Sequence, residues 1–129
     1  IAWSANERIE LRLTAAALGE LVQSTGFLTF KTGMWLGYHD IAAPDGFVMG
    51  IGDTIGSLSS GATERANADT LDLFTFLWTN YTNVDLVIET SAGSPTTRGA
   101  SAAADFAANK RMPTPDYSAH GNGFNIIKL

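Results

Sequence analysis

The chain has 129 residues, a net charge of −5 and no cysteine, which bounds it to one domain with a short appendage and excludes a disulfide framework or a thiolate metal site. Its eight Lys and Arg are scattered, so there is no basic patch for nucleic acid, and no apolar run nears the roughly 20 residues that cross a bilayer. Charged residues make up 16% against about 25% in an average chain; either small polar residues cover the outside, or another subunit covers part of the apolar surface.

The first predicted element lies in "IAWSANERIELRLTAAALGELVQSTG". Ser4 and Glu7 have capping-box spacing for a helix start. Leu11, Thr14, Leu18, Leu21 and Thr25 then fall on alternating three- and four-residue steps, the seam of a coiled coil. Ile9, Leu11 and Leu13 also alternate with polar neighbours, as in a strand. Both readings make residues 1–26 a thin amphipathic segment that needs a partner, with Leu11, Leu18 and Leu21 as candidate interface residues. The chain opens on Ile1 rather than Met and no signal peptide is visible, so the expectation is a fragment or a processed product.

Residues 27–129 read as one small domain. Phe27, Leu28 and Phe30 begin a strand that Gly33 interrupts and Met34 to Tyr38 continue. Ala43-Pro44-Asp45-Gly46 is a turn, because Pro presets φ and Gly permits a positive one. "FVMGIG" makes a short apolar strand, and Ser57 to Asn67 read as loop. Asp69 is the expected N-cap of a helix from Thr70 to Trp78. Leu71, Leu73, Phe74, Phe76, Leu77 and Trp78 would cover an arc of about 220° on that helix, wider than one buried face requires. Phe76 and Trp78 are therefore candidates for a subunit interface.

"VDLVIET" reads as a strand, and Ser101 as the cap of a short helix "AAADFAANK". Lys110 and Arg111 suit the carbonyl end of that helix, and Pro113 and Pro115 forbid its continuation. Asn122-Gly123 signals a tight turn before a closing strand "FNIIKL". The predicted class is α+β: short strands, two short helices and long ordered loops.

The blocks "DGFVMGIGDTIG", "SGATERANADT", "LFTFLW", "TRGASAAADFAANKR" and "MPTPDY" follow one another between Asp45 and Tyr117. In that order and spacing, the segment Phe47 to Pro115 resembles the collar-type C-terminal domain of phage tail fibre proteins, from the family of fibre, needle and spike tips. The resemblance implies an intertwined homotrimer, a virion location after assembly in the host cytoplasm, and contacts with other phage tail proteins. It also implies host attachment through a surface glycan or protein. Relatives extend the region after the last proline motif into a receptor-contacting insertion, whereas here "DYSAHGNGFNIIKL" runs almost straight to the closing strand. A His-x-His motif that holds a metal in one relative is missing, so neither metal nor cofactor is expected.

The residue chemistry points away from catalysis. His39 and His120 have no metal-ligand spacing. Asp40 and Asp45 flank a turn, Asp69 and Asp72 open a helix, and turn and helix-start roles explain them better than a glycosidase-like pair does. Gly50, Gly52 and Gly56 match no phosphate-loop pattern, and there is no nucleophile elbow around a serine. Arg65 and Arg98 read as structural cations that bridge loops to carboxylates. Trp35, Tyr38, Tyr81 and Tyr117 could stack on sugars or pack in the core. Tyr117, His120, Asn122, Tyr38 and His39 are the candidate receptor contacts. The expectation is thus a binding protein, not an enzyme. The alternative is a free-standing carbohydrate-binding module using exposed aromatics.

Overall fold

Two short strands meet on the closing strand. The structure, a computed structural model, describes residues 30–119 and 124–129. Expectations for residues 1–29, including the interface candidates Leu11, Leu18 and Leu21, and for His120 and Asn122, lie outside the described residues. In β1 (Trp35–Tyr38), β2 (Phe47–Met49) and β6 (Phe124–Lys128), the order is β1-β6-β2 with both pairings antiparallel. Gly33 bonds Lys128 O just before β1, and Phe47 N closes the expected Pro44 turn into β2 at 3.1 Å. Register places Trp35 beside Ile127 and Leu36 beside Ile126, so the sheet's two faces carry different sets. Val48 and Ile127 lie in the main core, on the Trp35 face.

The second sheet has the order β4-β3-β5, from β3 (Thr54–Gly56), β4 (Arg65–Ala66) and β5 (Arg111–Pro113). All three residues of β3 are buried. Pro113 has no amide hydrogen, and it sits at the end of the outer strand β5, where that costs little. A 3-10 turn (Ala68–Thr70) leads into helix α1 (Leu71–Asn80), and α2 (Ala102–Ala107) packs on α1. Leu73, Phe74 and Leu77 of α1 meet Ile55, Ile88, Met112 and Val48 in one core. Phe106 docks α2 by an edge-on contact with Phe74, ring centroids 5.3 Å apart. The described unit is thus a small mixed α+β domain of six strands in two sheets with two helices, and Lys31–Leu129 forms one compact unit.

Four local expectations change. The loop Ser57 to Asn67 ends in β4, because Arg65 and Ala66 pair alongside Ile55 and Gly56. Asp69 does not cap α1. Asn67 Oδ1 instead accepts from Asp69 N, and the Asp69 carboxylate takes Arg65 Nε at 2.7 Å. "VDLVIET" is not a strand: Thr82 and Asp85 close a side-chain turn at 2.6 Å, and Asn83 Oδ1 accepts from Ile88 N. Those short polar side chains compete with ladder bonds for the backbone. Glu89 alone in that segment bridges Arg111 and Pro95. Finally, α2 stops before either proline. Asn109 adopts φ 58, and Asn109 N→Phe106 O and Lys110 N→Asp105 O form a Schellman end. Ser101 caps the other end as expected, its Oγ accepting from Ala104 N.

Candidate functional site

The quiet tract after β3 is held by its own hydroxyls. Thr63 and Thr54 exchange bonds, each backbone N–H donating to the other's Oγ1 at 3.0 and 2.9 Å. Ser60 Oγ donates to Ser57 O at 2.6 Å, and Thr70 Oγ1 donates to Gly56 O. A Cβ at Gly56 would stand 2.5 Å from Ser60 Oγ, so the close approach requires glycine there. Small polar residues thus serve as backbone partners inside the fold, which satisfies the accounting that buried amides and carbonyls demand.

Three cations lock the long loops to the helices and to β5. The Arg98 guanidinium donates to the carbonyls of Trp78 and Tyr81, to Thr82 O at 3.1 Å and to Leu86 O at 3.2 Å, and its Cζ lies 5.7 Å from the Trp78 ring centre. It therefore caps the carbonyl end of α1 rather than bridging to a carboxylate. Burial lowers its pKa, against the pull of Asp105 and Asp85. Lys110 Nζ reaches Asp105 Oδ1 at 2.7 Å and Thr97 O at 2.9 Å. Arg111 takes Glu89 at 2.6 Å and Gly61 O at 2.8 Å. Asp105, only 2% exposed, also accepts from Trp78 Nε1 and Gly99 N. Burial would raise its pKa, but Lys110, Gly99 and Trp78 together hold it below the usual carboxylate range. Apart from Arg98 Nε, which is buried without a hydrogen-bond partner, the polar groups of this constellation bond one another or nearby backbone, and the constellation serves structure.

Among the described residues, two of the candidate aromatics pack together. Trp35 and Tyr117 stack with ring centroids 4.5 Å apart and planes at 29°. Trp35 Nε1 donates to Asn125 Oδ1 at 2.9 Å, and Asn125 Nδ2 donates to Tyr117 O at 2.8 Å. Buried Asn125 thereby ties the Trp35 indole to the main chain of Tyr117. The Tyr117 hydroxyl is pushed up to about 12 by burial and by its contact with Tyr81. Trp35 nevertheless remains 48% exposed. Sequence patterning named these aromatics one by one; nothing in it signalled that Asn125 would join two of them.

The structure separates other candidates. Tyr38 faces away from Trp35, beside Phe124 on the opposite face of the sheet, so Tyr38 and Tyr117 do not share a surface. His39 is exposed just beyond β1. Trp78 is committed inside its own chain by Asp105 and Arg98. Phe76 is 38% exposed and lies over Gly33, where a Cβ would meet the ring at 2.5 Å. Among the described residues, no group of three or more His, Asp or Glu side chains could hold a metal ion, and no helix is long and apolar enough to cross a membrane.

Set against protein-family models, curated proteins and solved structures, the chain finds no match in any of the three.

Proposed function

We propose that this chain is a structural component of a phage virion, a tail fibre or spike part that assembles as a homotrimer and serves host attachment. The observation that carries this reading is the ordered run of sequence blocks from Phe47 to Pro115. Their residues coincide with the joints of the fold: Thr63, Asn67 and Thr70 order the small-residue tract, while Arg98, Ser101, Asp105, Lys110 and Arg111 bind the later loops to the helices and to β5. A shared pattern at such joints supports a shared scaffold. Large apolar side chains left at the surface, Leu71 and Phe76 on α1 among them, support burial between copies. In this reading residues 1–26 form the oligomerising stalk, the binding work is done by shape and contact, and no bond is made or broken.

Mass in solution tests it. Light scattering on the purified chain should give three times its 13.7 kDa across a wide dilution range. A mass that stays at one chain at high concentration overturns the trimer. One observation favours a second reading, a free-standing carbohydrate-binding module: the ordered, half-exposed Trp35–Tyr117 pair. A monomer that binds sugar would select it.

A further inference from the structure

With no cysteine in the chain, a mild oxidant finds its softest targets in the methionine thioethers. The three methionines differ sharply in access. Met49 is 3% exposed and Met112 0%, whereas Met34 is 41% exposed. Reactivity toward peroxide follows access to the sulfur. The fold thus closes two thioethers and leaves Met34 open.

Met34 also sits where an added oxygen does least harm. Lys31 to Met34 form a turn in which Met34 N donates to Lys31 O at 3.0 Å and Gly33 takes φ 86. Two further backbone bonds, Gly33 N→Lys128 O and Lys128 N→Met34 O, both 2.9 Å, staple the turn to the closing strand. These bonds do not involve the Met34 side chain. The bond that does runs from Lys31 N to Met34 Sδ at 3.1 Å, and a thioether is a weak acceptor. It engages one lone pair of the sulfur and leaves the other for oxygen transfer. A sulfoxide oxygen is the stronger acceptor, so the Lys31 N–H keeps a partner after oxidation. At Met49 or Met112 the same polar oxygen would be buried, at a desolvation cost.

We propose that Met34 is a reversible oxidation site, where a peroxide converts the thioether to the sulfoxide while the fold is kept. A sulfur lone pair attacks one peroxide oxygen. The S–O bond forms, the O–O bond breaks, and the departing hydroxide takes the proton of the transferred oxygen and leaves as water. Sulfur gives up two electrons and the peroxide gains them. The return step uses a sulfoxide reductase with a dithiol as reductant: the oxygen leaves as water and the dithiol closes to a disulfide. This site stands on the geometry of one chain and does not rest on the assembly reading.

The test exposes the whole chain to hydrogen peroxide in buffer and, in parallel, in urea. Oxygen uptake at each methionine is followed by tandem mass spectrometry of proteolytic peptides. In buffer, Met34 should gain oxygen at least about tenfold faster than Met49 or Met112, whose sulfurs react only through opening of the fold. In urea the three rates should converge. The singly oxidised chain should keep the circular dichroism and melting temperature of the parent. Sulfoxide reductases for the two epimers, with dithiothreitol, should then remove the oxygen. Met34→Leu, close to volume-conserving, should abolish the fast phase and leave the slow one. Met49 or Met112 oxidising as fast as Met34 in buffer overturns the proposal. So does a fast phase that survives in Met34→Leu, a singly oxidised chain that unfolds, or a sulfoxide that the reductases leave in place.

Discussion

Asp105 shows how one buried carboxylate can serve three stretches of chain at once. Its partners Lys110, Gly99 and Trp78 sit on different stretches of chain. Asp105→Ala should leave the Lys110 ammonium half-buried and the indole N–H unpaired, lowering urea stability by about 3 kcal/mol. The pH dependence has a definite sign. The carboxyl pKa is depressed in the folded chain, so near pH 4 the unfolded chain binds more protons. The contribution is present above the unfolded carboxylate pKa of about 3.9 and is lost as pH falls through the lower folded value. Denaturation midpoints measured from neutral pH down into that range should fall in the parent and fall less in Asp105→Asn. Tyr117 has the opposite sign. Its folded pKa is raised to about 12, so its contribution is present below the unfolded tyrosine pKa of about 10 and disappears as pH climbs through the folded value. A phenolate absorbance titration should show a late-titrating hydroxyl that Tyr117→Phe removes. A titration with every tyrosine ionising near pH 10 would contradict the burial of this side chain.

At the scale of elements, helix ends decide more than helix middles. Both helices are too short to persist alone, so each relies on its ends and on Phe74 and Phe106 between them. Arg98 collects the carbonyls at the end of α1 from across a loop. Asn109 ends α2 in a left-handed conformation, and its side chain accepts from Ser57 Oγ at 2.7 Å, tying helix to hydroxyl-rich loop. Asn109→Val should therefore cost about 2 kcal/mol, from a β-branched residue at positive φ plus the lost bond. Asn109→Gly should cost less, because only the bond to Ser57 is lost. Equal melting temperatures for the two variants would place the stop signal elsewhere. The failure of "VDLVIET" as a strand belongs at this scale too. Its Val, Leu and Ile spacing fits a ladder, but Thr82, Asn83 and Asp85 offer the backbone closer partners than any strand can.

For the whole molecule, the wide apolar arc expected of α1 resolves into two parts. Leu73, Phe74 and Leu77 fill the core, while Phe76 lies over Gly33 and stays partly open. On the assembly reading, Phe76→Ser should shift the mass from trimer toward one chain with the far-ultraviolet spectrum unchanged. A variant that remains fully trimeric would remove Phe76 from the interface. The sequence by itself determined what neighbours along the chain can settle: the Pro44 turn, the apolar face of α1, the Ser101 cap and the presence of the closing strand. Each depends on residues within a few positions of one another, where propensity and spacing act directly. Only the tertiary structure decided that Asn125 would hold Trp35 from 90 positions away, that Arg98 would cap a helix rather than meet a carboxylate, and that Tyr38 and Tyr117 would face opposite ways. Those outcomes follow from strand register and loop closure. Hydrogen-bond donors look alike in sequence whatever acceptor they find, and the acceptor is chosen only when packing brings distant backbone within 3 Å or so.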